Sequence, residues 1–431
     1  MPADPLIEYF IGDNPVNKVH FLWKKSLPLE RKPGWNHGLD KDEIFITYGD
    51  YFSAIEFFLK KNSFGIVLSA ASDYLKKDIT SKDIDKIGIH LEKHGQFYHP
   101  ARIEVKTGEK KILFVVNCAV SDCGKSCIQR EYNVLKRLNN IFILSCLPAV
   151  YGFDEITVKE KTKKIIMYLG LWFKGYHEFH ISCDYGDQKK RIIVWNNDKE
   201  NFTLSDRETE ELYSQAAEIL TFYYNIETFE QIYPWHHAAG DFVLKKTDDA
   251  IKLKLISARQ YAPMVEAPVE SDKRKHSTDS VLEGLLLFFL NLSIRMRLDR
   301  LDGTGNIVWS DNIAVQGTVN GFLKGLSLKN SCVQFSDPLD FCFYKTLSSC
   351  DEDDLFDLSK LIVDSYSPDA PEIPVIKKKL KEHVHTLYRA VKSKMITVGS
   401  YTVPAKKENT FNSVVKHPCT GRLSCGNIQT K

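Results

Sequence analysis

The sequence predicts an α+β protein in two parts, a smaller one built on an antiparallel sheet with one helix and a larger one that is mainly helical. Three observations predict it. The chain has 431 residues, more than a single hydrophobic core ordinarily serves. From Ile87 onward, β-leaning runs come as three, then one amphipathic helix, then two more. Beyond Thr203 the apolar spacing becomes helical, interrupted by a single strong hairpin signal.

Residues 1–86 read as an N-terminal extension, with turn signals in ERKPGWNHG and a helix in YFSAIEFFLKK, whose apolar residues recur at helical spacing. Residues 87–180 form the smaller part. Within it, IGIHLEKHGQFYHPARIEVKTGEKKILFVVNCAVSD carries three strands separated by turns at HG and TGEKK, an antiparallel meander. The next stretch, GKSCIQREYNVLKRLNN, places Cys127, Tyr132, Leu135 and Leu138 on one side and Lys125, Arg130, Lys136 and Arg137 largely elsewhere, which makes an amphipathic helix. LPAVYGFDEITV and KKIIMYLGLWFKGYHEF then supply two strands on either side of the charged turn KEKTKK.

Residues 181–400 form the larger part. RETEELYSQAAEILTFYYNI starts after Ser205, whose hydroxyl suits an N-cap, and carries acids in its first turns, where the helix dipole favours them. At 235–261, WHHAAGDFVLKKTDDAIKLKLISARQY sets a polar knot before a hairpin. PVESDKRKHSTDS reads as a polar surface loop, VLEGLLLFFLNLSI as a core helix, and VIKKKLKEHVHTLYRAVKSK as a helix following the Pro-rich SPDAPEIP. Val281 to Ile294 contains Glu283 and Asn291 and falls short of the roughly 20 residues a membrane span needs. Residues 401–431 are weakly patterned and read as a loose tail.

Lys plus Arg, 58, nearly cancels Asp plus Glu, 56, so no global field recruits nucleic acid or an anionic membrane. The N-terminus lacks a basic stretch followed by an unbroken apolar one, which argues against a secretory signal. Ten cysteines without a CxxC spacing suit a reducing compartment, so a cytoplasmic location is expected. Cys123 and Cys127 stand four apart and share a helix face; with no second ligand pair nearby they read as buried thiols rather than metal ligands.

Five strands with one helix after the third, then a helical region interrupted by a polar knot and hairpin, resembles the two-lobe protein kinase-like fold over roughly Ile87 to Asn330. The knot HHAAGD is also similar to the His-Gly-Asp context of the aminoglycoside phosphotransferases. The resemblance implies a small lobe at 87–180, a helical large lobe at 181–400, and a ligand cleft between them. Two registers of the hairpin are open, one placing Asp241 at a metal-binding position and His236 at the catalytic acid, the other making Asp241 the base itself. Both choose Asp241, which could orient an acceptor hydroxyl or hold Mg²⁺, with His236 or His237 assisting proton transfer. The plain alternative is a turn in which Asp241 caps backbone N–H groups.

The remaining motifs depart from the pattern the resemblance implies. A phosphate-cradling loop needs bare backbone, because N–H groups must approach the phosphates closely. EKHGQFYHPA offers Gly95 alone, among bulky neighbours, although His94 and His99 beside it could line a cleft. The third strand should carry a lysine, yet ILFVVNCAVS has Asn117 and Ala119 near the expected position, with Lys106 and Lys111 only at neighbouring strand ends. Glu131 falls where the helix partner of that lysine belongs; a helix carboxylate otherwise faces water. LGLWFKGYHEF resembles the crossing between lobes, while Leu169, Leu171 and Phe173 suit a core strand equally well. After the hairpin, ISARQYAP puts Ser257 where a metal-chelating acid is expected, and the next charge is the cation Arg259, which could hold an anion.

These features imply a divergent kinase-like protein with degraded catalytic motifs that binds a nucleotide such as ATP, or another anion, through Gly95, Glu131, Ser257 and Arg259, with Mg²⁺ held weakly if at all. The alternatives are an active ATP-dependent phosphotransferase acting on a small molecule through Asp241, and a non-catalytic interaction protein with no ligand chemistry. The expected partners are a nucleotide or small-molecule ligand and a protein partner, with neither nucleic acid nor membrane.

Overall fold

A computed structural model describes residues 4–28, 46–95, 98–142, 146–158, 162–183, 189–196, 200–235, 240–248, 250–264, 277–303, 305–329 and 337–397. His236, His237, Gln96, Phe97, Asp249, most of the polar loop after Pro268 and the tail 401–431 lie outside them. The protein is α+β and divides into two compact units, residues 1–175 with 257–260, and residues 176–256 with 261–431.

The first unit is built on a seven-stranded sheet. Its strands are β1 (Leu6–Ile11), β2 (Asn14–Val16), β3 (Lys86–Leu91), β4 (Ala101–Thr107), β5 (Lys110–Ala119), β6 (Val150–Val158) and β7 (Lys163–Leu171), in the spatial order β2-β1-β3-β4-β5-β7-β6. The five strands from β3 onward pair antiparallel, while β1 joins β3 in parallel. The segment read as an extension therefore contributes two strands to this sheet. It also contributes α1 (Tyr48–Leu75), which breaks at Lys61–Phe64 where Asn62, Ser63 and Phe64 take positive φ; YFSAIEFFLKK ends at that break.

Alternation along the strands assigns the two faces of this sheet. Ile112, Phe114, Val116 and Cys118 of β5 and Ile165, Met167 and Leu169 of β7 join one core with Tyr51, Phe52, Ile55, Phe58 and Leu59 of α1. Asn117 and Tyr168 project from the opposite face, where α2 (Asp122–Ile141) lies and Tyr132 packs within 5.9 Å of the Tyr168 ring. Ser121 caps α2 by accepting from the Gly124 amide.

The second unit opens with a three-stranded sheet of β8 (Glu178–Cys183), β9 (Lys190–Trp195) and β10 (Phe202–Thr203). The run KKIIMYLGLWFKGYHEF is thus two strands, because β7 ends at Leu171 and β8 starts at Glu178. Helix α3 (Asp206–Tyr223) begins at Ser205, whose hydroxyl and the Glu208 carboxylate form a reciprocal capping box. Then come β11 (Glu230–Ile232), the hairpin of β12 (Phe242–Lys246) and β13 (Ile251–Leu255), and β14 (Tyr261–Pro263), which pairs back onto β11. The unit finishes with α4 (Thr278–Arg295), the short pair β15 (Leu298–Arg300) and β16 (Ile307–Trp309), and α5 (Ile313–Ser327), α6 (Leu339–Ser349), α7 (Glu352–Asp364) and α8 (Ile373–Thr397). Val281 to Ile294 sits in α4 and is largely buried. Among the described residues no helix is long and apolar enough to cross a membrane.

Helices α3 and α5 approach at backbone contact. Gly317, Gly321 and Gly325 recur every fourth residue, on one face of α5. A methyl at Gly317 would lie 2.5 Å from the Glu210 carbonyl and one at Gly325 2.9 Å from that of Glu218, while one at Gly321 would overlap the Ser214 carbonyl. Overpacking of this kind costs about 1–3 kcal/mol when the neighbours can shift. Gly321→Ala is therefore expected to destabilise the second unit by at least that amount, read as faster exchange of α3 amides and a lower denaturation midpoint. Unchanged exchange in α3 would mean that the two helices do not depend on this contact.

Candidate functional site

In the first unit, a carboxylate lies where the amphipathic pattern of α2 calls for an apolar side chain. The buried stripe of this helix is Gly124, Cys127, Ile128, Glu131, Leu135 and Leu138, and Glu131 is only 1% exposed. Burying an ionised carboxylate costs several kcal/mol unless donors reach it. Donors do reach it: the Ser257 hydroxyl donates to Glu131 Oε1 at 2.6 Å, and the Ala258 amide donates to the same oxygen at 3.2 Å. The segment 257–260 belongs to this unit, held there in part by that carboxylate.

Tyrosines surround the pair. Tyr168 stands directly opposite Asn117 in the β5–β7 ladder, and the Asn117 amide donates to its hydroxyl at 2.7 Å. Asn117 thus spends its amide on a neighbouring strand. Burial, then the nearby Glu131 charge, pushes both the Tyr168 and Tyr98 hydroxyls far above their ordinary pKa. Arg259 lies close enough to work the other way on Tyr168, and it also favours the thiolate of Cys127. Glu131, Ser257, Arg259, Tyr98 and Tyr168 therefore form one polar cluster beneath the sheet face that carries α2. Lys111 pairs with Glu104 at 2.6 Å and Lys106 is exposed on β4.

The loop carrying Gly95 is tied down on both sides. The Gly95 amide donates to the Tyr98 carbonyl at 2.9 Å, and a side chain at Gly95 would come within 2.8 Å of that oxygen. That amide is consequently committed within its own loop. His94 Nδ1 and His99 Nδ1 are 3.0 Å apart, His94 Nε2 is 3.3 Å from the Tyr48 hydroxyl, and Tyr51 donates to the His99 carbonyl at 2.8 Å. The His99 amide closes the arrangement on the Cys118 carbonyl at 2.8 Å. Helix α1, from the segment read as an extension, is what secures this loop.

Asp241 belongs to the second unit and is 1% exposed. Its carbonyl accepts from the Ile256 amide at 2.7 Å, extending the hairpin register of Phe242 opposite Leu255. Gly240 before it takes φ +82°, with the Glu178 carboxylate 3.4 Å from where its side chain would start. His177 bonds Leu244 in both directions, anchoring β12 to the strand that carries Glu178. His236 and His237 lie outside the described residues. Of the sequence-predicted residues, Glu131 and Ser257 meet directly with Arg259 nearby, and Gly95 reaches the cluster through Tyr98. The second unit also has a surface groove of about 930 Å³ lined by residues including Arg207, Glu211, Gln215 and Lys324, none of them predicted. Among the described residues no group of three or more His, Cys, Asp or Glu is arranged to hold a metal ion.

Two expectations follow. A hydrogen bond to a charged group contributes about 1.5–3 kcal/mol, so Ser257→Ala should lower the stability of the first unit by an amount in that range in urea unfolding. A loss below about 0.5 kcal/mol, the ordinary scatter of a neutral surface change, would deny Glu131 its role. For His99, burial, and then the neighbouring His94, lower the pKa to about 4. The folded value lies below the unfolded one, so this stabilisation is complete above about pH 6.5 and is lost as pH falls through 4, about 3 kcal/mol in all. Imidazole NMR should show His99 neutral at pH 6 and protonating near 4, with His94→Asn raising that value. Titration near 6.5 in the intact protein would contradict the burial. Compared with known proteins, the sequence matches no protein-family model and no curated protein, so a function for this site rests on its own geometry.

Proposed function

We propose that the chain is a divergent kinase-like protein, its two units corresponding to a small and a large lobe, and that it binds a nucleotide or another anionic ligand without efficient phosphoryl transfer. One observation carries the reading. Glu131, the carboxylate expected to orient a strand lysine, instead accepts hydrogen bonds from Ser257, which stands at the place of the metal-chelating acid, and from the Ala258 amide after it. Two parts of a phosphate-handling apparatus have become each other's partners. Asn117, which with Ala119 lies near the lysine position, is engaged with Tyr168, and the Gly95 amide is engaged with Tyr98.

Metal-assisted transfer needs anionic ligands for Mg²⁺ and a cation on the phosphates. The positions available here supply Arg259 as the cation and leave Asp241 as the one predicted carboxylate for a metal. A single carboxylate holds Mg²⁺ weakly unless substrate phosphates complete its shell. The retained Gly240-Asp241 corner is what favours the second reading, an active phosphotransferase on a small molecule with Asp241 as base.

Calorimetric titration of ATP into the wild type, with Mg²⁺ or with chelator, separates the two. Under the first reading the affinities agree within about threefold, and Arg259→Ala weakens both at least tenfold, the factor that about 1.4 kcal/mol of lost charge-assisted bonding produces. Binding seen only with Mg²⁺, indifferent to Arg259→Ala and abolished by Asp241→Ala, would instead establish the active enzyme. No binding under any condition would leave the interaction-protein reading.

A further inference from the structure

The first two turns of α2 carry a thiol pair that the preceding function does not use. Cys123 is exposed and Cys127, one helical turn later, is 9% exposed. Residues four apart on a helix bring their Cβ atoms to about 5–6 Å, and the Cys123 thiol is near enough to add to the upward shift that burial imposes on Cys127. No third His, Cys, Asp or Glu among the described residues completes a metal site with them. The pair instead divides the labour of a two-thiol oxidation: one sulfur reachable from solvent, its neighbour shielded.

We propose that Cys123 and Cys127 form a peroxide-sensitive modification site, in which Cys123 is oxidised first and Cys127 resolves it as an intrahelical disulfide. In the first step the Cys123 sulfur attacks one oxygen of a hydroperoxide such as H₂O₂. The O–O bond breaks, the thiol proton leaves with the departing oxygen as water, and Cys123 becomes a sulfenic acid. In the second, the Cys127 sulfur attacks that sulfenic sulfur, the S–O bond breaks, and the hydroxyl leaves with the Cys127 proton as a second water. Two thiols and one peroxide give one disulfide and two waters, the two electrons passing from sulfur to oxygen.

The geometry also states the consequence. A disulfide requires Cβ atoms about 3.5–4.5 Å apart, less than an intact turn allows, so closing the bond must distort the first turn of α2. Little opposes this. The turn is held by the Ser121 cap, worth about 1 kcal/mol in ordinary cases, and by an exposed Asp122–Lys125 pair at 3.0 Å that contributes little. Cys127 lies one turn before Glu131 on the same buried stripe, so the distortion is directed at the carboxylate that grips Ser257 and Ala258. The chemistry holds whether or not the chain binds a nucleotide.

The test uses the full chain, treated with one equivalent of H₂O₂, blocked with N-ethylmaleimide and digested with trypsin. Cleavage after Lys125 separates the two cysteines, so their disulfide joins Ile112–Lys125 to Ser126–Arg130. Cys118 shares the first peptide, and fragment ions assign the bond. The expected result is a dithiothreitol-sensitive 123–127 linkage, at least a tenfold fall in maleimide labelling at Cys127, and faster amide exchange in the first turn of α2 and at 257–260. Cys127→Ser should abolish the linkage and leave a dimedone-reactive sulfenic acid at Cys123, with Cys127→Ala as a second variant should the serine fold poorly. A linkage of Cys127 to any other cysteine, or oxidation of wild-type Cys123 to sulfinic acid with Cys127 still free, would overturn the proposal. A linkage that leaves exchange at 257–260 unchanged would overturn its coupling to Glu131.

Discussion

A carboxylate on the buried stripe of a helix constrains everything around it. Glu131 faces the sheet among Cys127, Ile128 and Leu135, where an unpaired charge would cost several kcal/mol. Its donors come from 126 and 127 residues further along the chain. The chain therefore enters the first unit for Ser257–Gln260 and leaves it again, a detour that no local propensity of ISARQY would demand. Burial first, and this carboxylate second, raise the pKa of Tyr98 and Tyr168. Helix α1 matters because it fills the other face of the sheet, leaving the α2 face free to be polar in part.

What the sequence discloses depends on how local the cause is. The capping box of α3 needs only Ser205 and Glu208, three residues apart, and both were visible. The β12–β13 hairpin follows from alternation on either side of a charged turn, and its register is as local as its signal. Glu131 was found as a position, but its burial was not legible, because the helix pattern by itself sends a carboxylate to water. Only the pairing of α2 with a remote Ser257 reverses that preference. Tyr168 was missed as the partner of Asn117 for a similar reason: β6 intervenes in sequence between the paired strands β5 and β7.

Other omissions had signals that went unread. HEF ends a run that reads as a strand, whereas HISC and KRIIVW carry no element in the sequence reading although they alternate as strands should; together they form β8 and β9. The parallel pairing of β1 with β3 joins segments some 80 residues apart, which alternation alone cannot specify. Gly317, Gly321 and Gly325 look like weak helix formers in isolation, since each glycine costs about 1 kcal/mol in a helix. Their spacing, not their propensity, is the information. It marks a helix face on which backbone carbonyls of α3 replace side chains as neighbours, so the residues that most disfavour α5 as an isolated helix are the ones that let it pack.

The donors that reach Glu131 also bear on the proposed function of the site. The Ser257 hydroxyl and the Ala258 amide are neutral donors, which solvate a carboxylate without cancelling its charge, whereas a lysine neutralises it locally. With Asn117 uncharged, Arg259 is the nearby cation that favours the ionised forms of both Tyr168 and Cys127. Under the proposed function a polyanionic ligand depends on direct, geometrically matched contacts with that guanidinium. Cys127, Glu131 and Leu135 share one buried stripe of α2, so any change in the early turns of this helix bears on the carboxylate that holds Ser257 and Ala258, and through them on the segment 257–260.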